Sequence, residues 1–314
     1  MKRGNVILFI LVCWVNHILI GQRLEDWPID DQLFFTINPA FTAQSTTINL
    51  GINHGSKWHQ LKSSPKQSSI WFHSPFRNLK MGISARIFDE TVGPFNSTGI
   101  SFSYGYKIPV GVGGRDAVSI GLSTQLMRTN FDRSKLRPSD EFDVVISETE
   151  VNSFVPPSFA VGLLYQTSGT EGENPVEFYT GVSFQRFVPF KNRFDRLSVE
   201  RLYQGHAIVG LKIWIDPAWQ LEPGILGTVV EGSRWNFLTR LKTWYKERVW
   251  IMGQWSRNQY MTVQLGTSFP SPWAPESFFM ISGSNSWYFG TVSQQLGNTI
   301  DFSLSYRKVL RNVR

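Results

Sequence analysis

The mature part of this chain has no cysteine. The single one, Cys13, lies in the first apolar run, so neither a disulfide framework nor thiolate chemistry is available to the folded protein. The only long apolar run is VILFILVCWVNHILI, residues 6–20. Asn16 and His17 break it, and it is short for a span of about 20 apolar residues. Lys2 and Arg3 precede it and Gly21 follows, which is the pattern of a removable secretory signal over residues 1–21. No later stretch carries a sustained helical period. Basic residues are not gathered into a patch: the formal charge is +7, and setting aside Lys2 and Arg3 leaves +5, dispersed along the chain. That excludes a nucleic-acid partner. An exported chain without disulfides needs a large core or a closed sheet for stability.

Aromatics and period-two alternation are abundant instead. The aromatic fraction is 14%, with 24 Phe, 12 Trp and 9 Tyr, while the mean hydropathy is only −0.16. Transmembrane barrel strands produce this combination, because outward apolar and inward polar residues cancel in any average. In STGISFSYGYKI, residues 97–108, Ile100, Phe102, Tyr104, Tyr106 and Ile108 share one face, and Gly99, Ser101, Ser103 and Gly105 share the other. AVSIGLSTQLM, residues 117–127, repeats the pattern, and the Pro- and Gly-rich KIPVGVGGRD between the two predicts a hairpin. TINLGIN, KMGISARIF, SFAVGLLYQ, VEFYTGVSF and the final TIDFSLSYR alternate in the same way. These runs are long for soluble strands and suit tilted membrane strands.

The sequence therefore predicts an all-β fold, a transmembrane antiparallel β-barrel of about 14 strands over 46–314. A short N-terminal periplasmic segment, 22–45, precedes it. Residues 128–156 and 186–204 read as the long extracellular loops. The inward faces read as Ser and Gly with few charges.

No catalytic, metal or cofactor site stands out. His54 and His59 flank Lys57-Trp58 without a third ligand at metal spacing, and read as lumen or loop residues. There is no G-x-S-x-G elbow for a serine nucleophile. GVGGRD lacks the GK[ST] ending of a phosphate loop.

The order of short motifs is more specific. INPAFTAQ supplies Asn38, Pro39 and Ala40. KWHQLKSSPKQSSIWFHSPF supplies Trp58, Pro65, Lys66, His73 and Pro75. MGISARIFDETVGPFNSTGISFSYGYKIPV supplies Asp89, Gly93, Tyr104 and Tyr106. In this order the motifs resemble the PorP/SprF family of Bacteroidota outer-membrane proteins. Phe41 stands where that family usually has Tyr, and Asp89 to Gly93 has one residue more than its usual spacing. The resemblance implies a non-enzymatic barrel of the type IX secretion and gliding machinery, set in outer-membrane lipid and using no cofactor. Its implied partners are the C-terminal domain of a large secreted surface adhesin and a periplasmic peptidoglycan-binding OmpA-like protein. A small-solute porin or transporter is the alternative. Pro39 fixes its own φ and biases Asn38 to an extended conformation, so residues 31–41 are expected to plug the periplasmic mouth.

Overall fold

A computed structural model of the chain describes residues 30–310, apart from 62, 77–79, 112–114, 133–149, 170–174, 187–189, 195–196, 202, 231–234, 258–259 and 290–296. The proposed signal peptide lies outside the described residues.

Three short helical turns come first, Asp31–Leu33, Phe34–Ile37 and Pro39–Ala43. Sixteen strands follow: β1 (Thr47–Ser56), β2 (Lys66–Phe76), β3 (Met81–Val92), β4 (Phe95–Val110), β5 (Asp116–Asp132), β6 (Glu150–Gln166), β7 (Val176–Gln185), β8 (Phe190–Phe194), β9 (Leu197–Arg201), β10 (Gln204–Trp214), β11 (Trp219–Val230), β12 (Asn236–Tyr245), β13 (Val249–Ser256), β14 (Tyr260–Ser271), β15 (Ala274–Tyr288) and β16 (Thr299–Val309). Fourteen of them form a closed antiparallel meander, sealed where β1 pairs β16 from Thr47↔Val309 to Ser56↔Ile300. Strands β8 and β9 make a separate hairpin between β7 and β10. Closure leaves the barrel without a sheet edge, which answers the lack of disulfides.

The alternation is realised residue by residue. Leu50, Ile52, Ile70, Phe102, Tyr104, Ile120, Leu122, Val182 and Phe302 are exposed on the outer wall, and Gly51, Ser84, Ser103, Ser119, Ser183 and Ser305 are buried on the inner one. An apolar outside and a polar inside suit lipid, and this is an outer-membrane multi-pass barrel. His54 lies on the outward face with Leu50 and Ile52, not in the lumen. The described turns at 215–218, 246–248 and 272–273 are tight and sit at the end where β1 begins, which is the periplasmic end in barrels of this kind. In one, Lys246 and Glu247 adopt φ of 50° and 53°, and Arg248 N–H donates to the Tyr245 carbonyl at 3.0 Å. Two consecutive left-handed residues give the turn that matches strand twist.

The predicted loop at 128–156 is strand at both of its ends, and its middle, 133–149, lies outside the described residues. Residues 128–132 continue β5 and 150–156 begin β6, each strand running 17 residues, so only 133–149 joins them. The register shift between Gln125 and Met127 falls opposite Pro156 and Pro157 of β6. Prolines lack the N–H that a continuous ladder requires, so the bulge absorbs them. The segment 186–204 likewise holds the β8–β9 hairpin.

Four inward aromatics lie across glycines of the neighbouring strand. A Cβ on Gly51 would meet Trp71 at 2.5 Å, one on Gly99 would meet Phe88 at 2.5 Å, one on Gly210 would meet Tyr179 at 2.3 Å, and one on Gly266 would meet Trp250 at 2.0 Å. Large rings fit inside the lumen because glycine yields the space beneath them.

Candidate functional site: a lumen filled by the chain's own N-terminal segment

Residues 30–44 run inside the barrel, deeper than a cap on its mouth. Asn38 is the pivot. Its backbone is extended, at φ −133° and ψ 110°, between two helical turns, and Pro39 starts the second turn at a position where its missing N–H costs nothing. Asn38 Oδ1 accepts from Ala40 N–H at 2.9 Å, capping that turn. Asn38 Nδ2 donates to the carbonyls of Leu163 on β6 and Val182 on β7, at 3.0 and 3.2 Å. The residue is 1% exposed and uses both ends of its amide.

From there the segment crosses five consecutive strands, each of which presents a glycine. A Cβ on Gly181 would meet Asn38 Nδ2 at 2.9 Å, and one on Gly162 would meet Asn38 Oδ1 at 1.9 Å. One on Gly121 would meet Pro39 C at 2.1 Å, one on Gly105 Ala43 N at 2.7 Å, and one on Gly82 Thr42 O at 1.8 Å. The Asn38 amide therefore packs on the glycines of β7 and β6 and plug backbone on those of β5, β4 and β3, and no larger residue fits at the closest of these points. Side chains complete the seat. His73 Nε2 lies 2.8 Å from Thr42 O, Gln44 Nε2 donates to Ser119 Oγ at 2.7 Å, and Ser183 Oγ donates to Ile37 O at 2.7 Å.

The opposite wall holds the segment by charge and rings. Asp31 bridges Arg240 and Lys242 of β12, with Lys242 Nζ at 2.7 Å from Asp31 Oδ2. Arg240 also faces Glu222 of β11 at 3.9 Å, and Lys212 pairs with Glu177 at 2.9 Å. Burial alone raises the Asp31 carboxyl, but the Arg240 and Lys242 charges and hydrogen bonds outweigh it and hold the group well below the usual carboxylate range. The Arg240 guanidinium stands 4.9 Å from the centre of the Phe34 ring, and Lys242 Nζ stands 4.5 Å from that of Trp244. Phe34, Phe41 and Tyr179 form a chain of rings that joins Leu164, Ile208, Leu226, Leu238 and Tyr260 in one buried cluster. The inner wall thus carries more charge and more apolar surface than the expected Ser and Gly.

The predicted motif residues separate into four places. Asn38, Pro39, Ala40, His73 and Pro75 belong to the plug and its seat, where Pro75 is buried opposite Gly82. Trp58, at φ 54°, lies toward the other end of the barrel, where its ring meets Tyr288 edge-on at 6.0 Å, and Tyr260 meets Tyr288 at 5.6 Å. The Pro65 carbonyl, beside Lys66, accepts from Lys57 N–H at 2.8 Å and ties down that loop. Asp89 accepts from Thr98 Oγ1 at 2.7 Å across the β3–β4 hairpin, and Gly93 takes φ 56° at its tip. Tyr104 and Tyr106 face outward, where Tyr104 meets Phe76 at 6.3 Å, as members of an aromatic belt. Sequence reasoning missed the Asp31, Glu222, Arg240 and Lys242 group. The signal was present in NFLTRLKTWY, where Arg240 and Lys242 are two apart, and so share a face, opposite Phe237, Thr239 and Leu241.

The family described as type IX secretion system membrane protein PorP/SprF matches residues 32–306. The chain belongs to that family. Its match begins within the luminal plug and ends on β16, so plug and barrel together make up the family unit. No curated protein matches the chain. Solved barrels share the PorP/SprF chain's fold at very low identity. The CymD monoaromatic hydrocarbon channel has 12% identity over 91% of this chain and 94% of its own, at a TM-score of 0.52. The Pseudomonas putida toluene transporter TodX has 7% identity over 90% and 95%, at 0.54. A FadL homologue of Pseudomonas aeruginosa has 10% identity over 91% and 95%, at 0.51.

Proposed function

We propose that this PorP/SprF chain is a non-enzymatic outer-membrane anchor. It holds a large secreted surface adhesin by that protein's C-terminal domain and links on the periplasmic side to a peptidoglycan-binding OmpA-like protein. The observation that carries the reading is the filled lumen. The segment packs on glycine across five strands, and the Trp58 and Tyr288 rings meet near the far end, which favours a filled barrel over an open water column. A barrel filled in this way suits a rigid platform. The outer contact falls to the end where β5 and β6 extend past the neighbouring β7, together with the 186–204 segment that holds the β8–β9 hairpin.

A small-solute passage is the second reading, favoured by the channel and transporter names of barrels with the same fold. Those likenesses are of fold only, at identities of 7–12%. A gentle-detergent pull-down of the tagged barrel from native outer membrane, read by mass spectrometry, separates the two. The anchor predicts a stoichiometric large surface protein. A barrel recovered alone that conducts ions in a planar bilayer favours the passage.

A further inference from the structure

The plug is held unevenly along its length. Phe34 and Phe35 are 7% and 3% exposed, and the glycine seat pins 38–43. Upstream of Phe34, the turn Asp31–Leu33 buries no side chain. Two side-chain attachments to the wall hold this end. Asp31 bridges Arg240 and Lys242, and Asp30 Oδ2 accepts from Gln264 Nε2 at 3.3 Å.

Three features make this attachment releasable. Arg240 has a second carboxylate, Glu222, at 3.9 Å, so losing Asp31 leaves it facing an opposite charge and avoids most of the penalty of an isolated buried cation. The Asp31 side chain is 24% exposed while Arg240 is 3%, so the carboxylate is the less deeply buried partner of the pair. Behind the turn lies a cavity of about 40 Å³, whose lining mixes polar Asp30, Asn53, Gln264 and Ser282 with apolar Leu33 and Met252. The polar groups offer hydrogen-bond partners to water that enters the space the turn vacates.

We propose that residues 30–33 form a strap, latched by Asp31, that leaves the lumen wall while Phe34 to Gln44 stay seated. Release exchanges the partner of Arg240 from Asp31 to Glu222 and opens the serine-lined cavity to solvent. The inference goes beyond anchoring, because it gives a closed platform a moving part at the start of its chain.

The absence of cysteine from the mature chain provides the test. Ser282→Cys places one thiol in the cavity wall of the full-length barrel, and Thr46→Cys places one at an exposed control position. Labelling rates with a small charged maleimide are then compared in three backgrounds. Asp31→Asn should speed labelling at 282 by about tenfold or more, the equivalent of losing one charge-assisted bond. Glu222→Gln, which removes the alternative partner, should slow it. Labelling at 46 should not change in either. If Asp31→Asn barrels that keep their heat-modifiable fold label at 282 at the native rate, the strap is overturned. If Glu222→Gln speeds labelling, the partner exchange is overturned.

Discussion

The two walls of this barrel hold the same peptide in opposite ways. From β3 to β7 the wall presents glycines and accepts plug backbone and the Asn38 amide at contact distance, with neutral hydrogen bonds from Asn38, Gln44 and Ser183. From β11 to β14 it presents Glu222, Arg240, Lys242 and Gln264, and holds Asp30 and Asp31 by charge. The first wall works by shape and tolerates no added atom. The second works by electrostatics, which depends on protonation and on which partner each ion chooses. A fixed seat on one side and an exchangeable contact on the other are what a segment needs to be permanent at one end and movable at the other.

The largest effect should come from the shape side. Gly121→Val puts a side chain where Pro39 already lies, and should cost more than about 3 kcal/mol or prevent the plug from seating, read as loss of the heat-modifiable band and a lower urea midpoint. On the charged side, Arg240→Met leaves Asp31 with Lys242 alone. Breaking a buried ion pair costs about 3 kcal/mol, and the partial exposure of Asp31 brings the expected loss nearer 2. Asn38→Ala removes the cap and both bonds to β6 and β7, for about 2 kcal/mol in the same unfolding assay. Equal losses from Gly121→Val and a Gly253→Val control, whose Cβ would meet nothing within 4 Å, would break the distinction between the walls.

Acid should weaken the Asp31 contact, and least of all near neutrality. The Asp31 carboxyl is held below its unfolded value of about 3.9, so its contribution is fully present above that pH and fades as pH falls through the depressed folded value. The difference in urea midpoint between the native and Asp31→Asn barrels should therefore be constant from pH 8 to about 5 and shrink below about 4. A difference that stays constant down to about pH 3 would remove the Asp31 contribution.

Much of the first wall was legible in the sequence. Gly82, Gly99, Gly105 and Gly121 fall on the small inward face by alternation alone, and Asn38-Pro39 announces a turn ahead of the first strand. What alternation does not say is which segment occupies the space those glycines leave. That is a contact between residues as far apart as Asn38 and Val182, fixed only by closure. The second wall was hidden by tryptophans. Trp214, Trp219, Trp244, Trp250 and Trp255 lie on both faces of β10 to β13, which blurs the period, and the charges that meet there come from separate strands. The length of β5 and β6 was missed for another reason. Above the lipid a strand no longer needs an apolar outer face, so TNFD and EVNS lose the alternation that marks a membrane strand.

The central claim is that the chain fills its own lumen at rest. Single-channel recording of the native full-length barrel in a planar lipid bilayer tests it most directly. A correctly folded barrel that passes no steady current is the predicted result. A sustained ohmic conductance of the size expected for an unobstructed barrel of this strand number would contradict it.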